Sequence, residues 1–173
     1  FAGGCFWCVE ADFDKVDGVL ETLSGYTGGS EQNPTYAEVS AERTGHREAV
    51  RITFDADQVS YSELVQKFWR SIDPLDLAGQ FCDRGRSYSP AVYVIDEEQH
   101  HDAETSRDAA GQALGSEISV PIEAAGTFWQ AETYHQDYAS RNPVRYRFYR
   151  STCGRDARIR QLWGDAAFPS PSG

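Results

Sequence analysis

The sequence predicts an α+β fold: a two-layer sandwich with a mainly antiparallel, mixed sheet of split βαβ type and a long irregular C-terminal segment. Three observations predict it. Stretches with strand-like and helix-like apolar spacing follow in the order strand, helix, strand, strand, helix, strand. The segments joining them are rich in Gly, Pro, Asn and Ser. At 173 residues and 40% hydrophobic content, the chain has enough apolar surface for one core. One domain over residues 1–173 is therefore expected, with 139–173 as an irregular tail that carries Cys153.

The elements follow in turn. Residues 1–4 read as the end of a strand, and Val9, Phe13 and Val16 form the apolar face of a short helix that stops near Gly18. Residues 19–26 read as a strand with imperfect alternation, and 25–34 carry loop chemistry. Residues 36–40 suit one helical turn, and in 48–54 Val50, Ile52 and Phe54 alternate along one strand face. Ser60 or Ser62 caps an amphipathic helix with Leu64, Val65, Phe68, Trp69 and Ile72 inward, ended by Pro74. Residues 73–89 show little periodicity, and a loop of that length in a compact domain is usually functional. A buried strand follows at 91–95, then a polar helix over 97–114 capped by Asp96, short strands at 118–124 and 126–129, and a helix around 134–138. An aromatic, arginine-rich tail ends in residues 168–173, where fraying is expected.

A net charge of -11 opposes binding to nucleic acid or anionic membrane, because the field of the whole molecule repels phosphates. No apolar run reaches the ~18 residues of a membrane span. A soluble protein of the cytoplasm or bacterial periplasm is expected. The chain has no Met and opens within a strand, so residues before Phe1 are expected, including any targeting segment. A domain of this size does not need disulfide staples, so Cys5, Cys8, Cys82 and Cys153 point to redox chemistry or metal binding.

The most informative stretch is Gly4-Cys5-Phe6-Trp7-Cys8. It places Cys5 at a helix N-terminus, where unpaired backbone N–H groups favour a thiolate, so Cys5 is the candidate nucleophile. Gly3 and Gly4 allow close approach of a ligand, and Phe6 and Trp7 offer rings beside the thiol for a small apolar group. Glu48 opens a strand whose following residues are apolar, and desolvation at the edge of a core raises a carboxyl pKa. Tyr36, Asp83 and Tyr88 lie in Gly-rich or irregular segments where core packing does not account for them.

These residues sit in blocks that resemble the peptide methionine sulfoxide reductases of the A type. The blocks are Gly4-Cys5-Phe6-Trp7, Gly25-Tyr26-Thr27-Gly28-Gly29, Asn33-Pro34-Thr35-Tyr36, Thr44-Gly45-His46 with Glu48, and Phe68-Trp69 with Asp73-Pro74. They continue through Asp83, Gly85 and Tyr88 to Tyr134-His135-Gln136, so the likeness spans roughly residues 1 to 143 in family order. The resemblance implies an α+β plait and thiol-dependent reduction of methionine sulfoxide, S epimer, free or in proteins. It implies Cys5 as nucleophile, Glu48 as proton donor, Tyr36, Asp83 and Tyr88 as the polar side of the site, and Phe6 and Trp7 as the seat of the S-methyl group. It also implies recycling by thioredoxin and no cofactor or metal; a monomer is expected. The chemistry asks for the same division of labour, since a sulfoxide sulfur becomes electrophilic only when its oxygen is protonated or strongly hydrogen-bonded.

Cys8, Cys82 and the Ser151-Thr152-Cys153-Gly154-Arg155-Asp156 segment depart from the commoner family pattern, and all three bear on which thiol resolves a Cys5 sulfenic acid. Cys153, beside Gly154 in a tail read as flexible, is placed first. Cys8 would close a Cys-x-x-Cys bridge, and Cys82 would be a relay or a buried thiol. A thioredoxin-like disulfide oxidoreductase using Cys5 and Cys8 is the competing reading, opposed by the bulky Phe6 and Trp7 and by the element order. A zinc module on the four cysteines, or on His46 or His135, lacks the second short ligand pair such sites show.

Overall fold

The fold is described from a computed structural model for residues 1–169. In chain order it comprises helix α1 (Phe6–Phe13), strand β1 (Val19–Thr27), helix α2 (Tyr36–Ser40), strand β2 (Arg47–Phe54) and helix α3 (Tyr61–Arg70). Then come strands β3 (Gly79–Gln80), β4 (Asp83–Arg84) and β5 (Val92–Val94), helix α4 (Glu97–Leu114), and strands β6 (Ile122–Ala124) and β7 (Trp129–Gln130). Helices α5 (Tyr138–Arg141), α6 (Pro143–Cys153) and α7 (Arg155–Trp163) close the chain. The expected helix around 134–138 is a 3-10 turn over Thr133–His135 followed by α5, and strand pairing in 118–124 begins only at Ile122.

β1 and β2 pair antiparallel from Val19 opposite Phe54 to Thr27 opposite Arg47, and β7 pairs antiparallel with the other side of β1. Past β2 the pairing continues through the chain start. Phe1 donates to the Val50 carbonyl at 2.9 Å and accepts from the Val50 N–H at 2.8 Å. Ala2 bridges Ala91 antiparallel, and β5 pairs parallel with β6. The α+β class and the mainly antiparallel, mixed sheet are as the sequence predicts. In β2 the alternation holds only in the outer half, where Arg51 and Thr53 are exposed; Arg47, Glu48, Ala49 and Val50 are all buried. Glu48 thus lies within the interior rather than at the edge of the core.

α3 buries Leu64, Val65, Phe68 and Trp69, and its start is fixed by a capping box in which the Ser60 hydroxyl accepts from the Glu63 N–H while the Glu63 carboxylate accepts from the Ser60 N–H. α4 packs on α3 and is capped by Asp96, which accepts from the Gln99 N–H at 2.8 Å. α1 brings Phe6, Val9 and Phe13 into the same core. Its entry depends on Gly4 at φ +82°, where a Cβ would stand 2.6 Å from Cβ of Gln80. A Cβ on Gly3 would come within 3.0 Å of Phe68 and Ile72. The two glycines therefore press the start of α1 against the protein's own interior, not toward a ligand as the sequence suggests.

Two expectations for the C-terminal part are overturned. The tail over 139–173 is not irregular within the described residues: α5, α6 and α7 occupy most of it, and Cys153 is the last residue of α6 rather than a flexible thiol. Residues 170–173 lie outside the described part. The aliphatic stripe that marks a packed helix is absent because the inward positions are held by Tyr146, Arg150, Arg155 and Ile159. Arg150 bonds Asp12 through both terminal nitrogens and Asp156 through Nε and one terminal nitrogen, which ties α6 to α1. Arg155 donates to the Gly3 and Ser71 carbonyls at 3.1 and 2.9 Å. Charges buried this way need partners, and their partners lie up to 152 residues away, out of reach of local pattern reading.

Arg150→Ala would leave Asp12, fully buried, without its cation. The expected loss of stability is about 3–5 kcal/mol by denaturant unfolding, and a loss under ~1 kcal/mol would show that this pair does not hold α6 in place.

Candidate active site

The site forms where the start of α1 meets the buried half of β2. Cys5 occupies the N-cap position of α1, buried at 6% exposure, and Cys8 lies one turn further, also buried. The N–H of Phe6 donates to Oε2 of Glu48 at 2.9 Å. The group that would stabilise a Cys5 thiolate is thus engaged by a carboxyl. Burial pushes the Cys5 thiol well up, its neighbours Cys8 and Glu48 push the same way, and a hydrogen bond with Tyr149 opposes them. The expectation that the helix start lowers the Cys5 pKa is therefore not met. Cys8 is the thiol held low, first by hydrogen bonding from Cys5, then by the Arg155 and Arg150 charges, against burial.

Glu48 is the second unusual group. Burial raises its carboxyl to about 8; the Phe6 N–H pulls down, while the negative charges of Asp83 and Cys8 push up. At neutral pH it is mainly the protonated acid, a donor in the interior beside a thiol pair.

The remaining expected residues gather around these two. Burial, with Glu48 next in effect, raises both the Tyr36 and the Tyr88 phenols, so they stay protonated donors. Asp83, at the start of β4, is raised by burial and accepts a hydrogen bond from the Tyr149 hydroxyl. Phe6 does not face an open pocket: its ring is buried against Tyr26 and His135, with centroids 5.9 and 5.0 Å away. Trp7 is half-buried, stacked on Tyr138 at 3.7 Å and edge-on to Tyr149 at 5.8 Å, with its Nε1 donating to Nδ1 of His135 at 3.1 Å.

Four residues of this site have no role in the reductase chemistry read from the sequence. Glu132 accepts from the Tyr26 hydroxyl at 2.7 Å and from the Tyr36 N–H at 2.8 Å, and so fixes Tyr36. His135 packs on Tyr36 at 4.5 Å and is kept neutral by burial. Tyr26 and His135 stand in the motif blocks quoted above, which could have drawn attention to them. Tyr149 carries no local signal; it reaches Cys5 and Asp83 only because α6 folds back over α1.

Cys82 and Cys153 form a disulfide, while Cys5 and Cys8 are free thiols. Cys82 is exposed, which corrects its reading as a buried thiol. The four sulfurs are therefore two separate pairs, one buried and one reaching the surface. Among the described residues, the sole close group of potential metal ligands is Cys82, Asp83 and Cys153, and both its sulfurs are bonded to each other. A cleft of about 440 Å³ lined by Phe1, Ile52, Phe54, Tyr61 and Tyr93 lies elsewhere and includes none of the site residues.

Fold and site together define a thiol oxidoreductase: a buried thiol pair facing a neutral carboxylic acid, with a disulfide at the edge of the same network. The family model "Peptide methionine sulfoxide reductase" matches residues 1–167. The chain is 53% identical over 172 residues to peptide methionine sulfoxide reductase MsrA 2 of Rhizobium meliloti, covering 99% of this chain and 86% of that protein. It is 48% identical to MsrA of Bacillus licheniformis, covering 95% and 92%. Methionine sulfoxide reductase A of Corynebacterium diphtheriae superposes with a TM-score of 0.73 at 31% identity, over 83% of this chain and 73% of that one. Mxr1 of Saccharomyces cerevisiae in reduced form superposes with 0.78 at 26% identity, over 82% and 83%. The chain belongs to the peptide methionine sulfoxide reductase family, an oxidoreductase class, and the thioredoxin-like alternative is set aside.

The raised Glu48 carboxyl has a consequence for stability. It binds its proton more tightly folded (about 8) than unfolded (~4.3), so its contribution is complete below ~4.3 and is lost as the pH rises to about 8. Thermal unfolding across that window should show wild type losing stability relative to Glu48→Gln, with the difference levelling off above about pH 8. Parallel curves would mean that Glu48 is ionised in the fold.

Proposed function

We propose that the chain reduces the S epimer of methionine sulfoxide with Cys5 as nucleophile and Glu48 as proton donor. The observation that carries this reading is the neutral, buried carboxyl beside the thiol pair. Transfer of the Cys5 proton to a Cys8 thiolate supplies the Cys5 thiolate, which attacks the sulfoxide sulfur as Glu48 protonates its oxygen. Tyr36 and Tyr88 donate hydrogen bonds to that oxygen, and Asp83 holds the polar side together with Tyr149. The protonated oxygen then transfers from the methionine sulfur to the Cys5 sulfur as the transient bond between the two sulfurs breaks, so that methionine leaves and Cys5 is left as a sulfenic acid. Trp7, with Tyr138 and Tyr149 behind it, seats the S-methyl group, and Phe6 forms the buried floor.

Cys8 then attacks the Cys5 sulfur, releasing water and forming a Cys5–Cys8 disulfide. Cys8 is preferred over Cys153 for this first step because it lies one turn of α1 from Cys5, whereas Cys153 is bonded to Cys82. Phe6 packs inward and Trp7 stacks on Tyr138, so neither ring stands between the two sulfurs. Thiol–disulfide exchange moves the bond outward to Cys82 and Cys153, the pair that reaches solvent. Thioredoxin is the proposed reductant; Mxr1 of Saccharomyces cerevisiae, at 20% identity a likeness of fold alone, has been solved in complex with Trx2.

One reductant-free experiment tests these assignments by measuring methionine formed and mapping the cysteines by mass spectrometry. Cys5→Ser should yield no methionine, and Glu48→Gln should slow the step by roughly 100-fold. Cys8→Ser should yield one equivalent and leave Cys5 as a dimedone-reactive sulfenic acid, while Cys153→Ser should yield a Cys5–Cys8 disulfide. Turnover by Cys5→Ser would sink the whole reading; a trapped sulfenic acid in Cys153→Ser but not in Cys8→Ser would return Cys153 to first place.

A further inference from the structure

Cys82 sits at the tip of a two-residue β-hairpin. Gln80 of β3 pairs with Asp83 of β4, and Phe81 and Cys82 make the turn between them. Phe81 has φ +56°, a left-handed conformation that a bulky residue adopts only when its surroundings hold it there. Here its ring lies 4.8 Å from the guanidinium carbon of the buried Arg155, on the helix that follows Cys153. The turn is thereby locked so that the N–H of Cys82 points at Sγ of Cys153, 3.3 Å away.

This makes the two sulfurs of the disulfide unequal. Cys82 is exposed, Cys153 half-buried. The N–H directed at Cys153 stabilises negative charge on that sulfur. Cys153 also ends α6, whose carbonyl end disfavours an anion there, but a charge-assisted hydrogen bond outweighs the partial charge of a helix end. Asp83 brings Oδ2 to 3.9 Å from Sγ of Cys153 and accepts from the Tyr149 hydroxyl, so Cys153 lies on the inner, half-buried side of the bond.

We infer that the Cys82–Cys153 disulfide is polarised, with Cys82 as the sulfur that an external dithiol protein attacks and Cys153 as the leaving thiolate. The incoming thiolate bonds to Cys82 Sγ, the S–S bond breaks, and its electron pair goes to Cys153, which leaves as a thiolate held by the Cys82 N–H and is protonated from solvent. The partner's second thiolate then attacks the mixed disulfide and releases Cys82 as a thiolate, so the partner is oxidised by two electrons and the enzyme pair is reduced by two. Cys153, on the side of Asp83 and Tyr149, is left facing the buried thiols, and Cys82 faces the partner. This rests on the thiol recycling proposed above.

The test uses the full-length oxidised protein and a thioredoxin whose second active-site cysteine is replaced by serine, which stops at the mixed disulfide. After a short reaction, acid quench and non-reducing peptide mass spectrometry, adduct on Cys82 should exceed adduct on Cys153 by at least about tenfold, with Cys153 recovered as free thiol. Equal labelling, adduct mainly on Cys153, or no adduct would overturn the inference. Phe81→Gly, which relaxes the turn, should reduce the preference while the disulfide still forms; an unchanged preference would show that the locked turn does not set it. Methionine formed without reductant is measured in parallel, so a wrong polarity with that equivalent intact is distinguishable from failure of the proposed reaction.

Discussion

The hydrogen bond from the Phe6 N–H to the Glu48 carboxyl is the interaction on which the rest of the structure depends. It fixes the start of α1 against the buried half of β2, which sets Cys5 beside Glu48. It also satisfies a helix N-terminal donor that has no partner inside the helix. The same burial that makes room for this contact makes an ionised carboxylate costly, so Glu48 keeps its proton and still accepts from Phe6. One contact thereby holds both the proposed nucleophile and the proposed acid.

It also sets the two thiols apart. With the Phe6 N–H engaged and the sulfur buried, Cys5 receives little help from the helix start and its pKa is pushed up, while Cys8, near Arg150 and Arg155, is held below the usual thiol value. Both arginines come from the C-terminal helices, whose ion pairs also dock them against α1. Helices α6 and α7 therefore serve packing, thiol electrostatics and the placement of Tyr149 and Cys153 together. The buried pair suits chemistry that must exclude water; the pair reaching the surface suits exchange with another protein.

Much of this was legible in the sequence, for reasons that differ by residue. The capping residues Ser60 and Asp96 and the apolar stripe of α3 act locally, so pattern reading finds them. Cys5, Glu48, Tyr36, Asp83 and Tyr88 stood out by motif, and the fold brings them to one place. What could not be read depends on long-range contacts. Glu132 acts through Tyr26 and Tyr36, which lie 106 and 96 residues away. The aromatic, arginine-rich tail is helical because its arginines meet buried carboxylates and carbonyls from α1 and the end of α3, and no local periodicity encodes that. The low pKa expected for Cys5 failed because a side chain from β2, 42 residues away, takes the N–H that the local motif offers.

The protonation state of Glu48 tests the account most directly. Carboxyl carbon chemical shifts of selectively 13C-labelled glutamate, assigned by comparison with Glu48→Gln, give its titration in the folded protein without reference to activity or stability. A midpoint near 8 is expected for this one carboxyl. A midpoint in the ordinary glutamate range, about 4 to 5, would contradict it, because an ionised Glu48 could not serve as the proton donor at neutral pH.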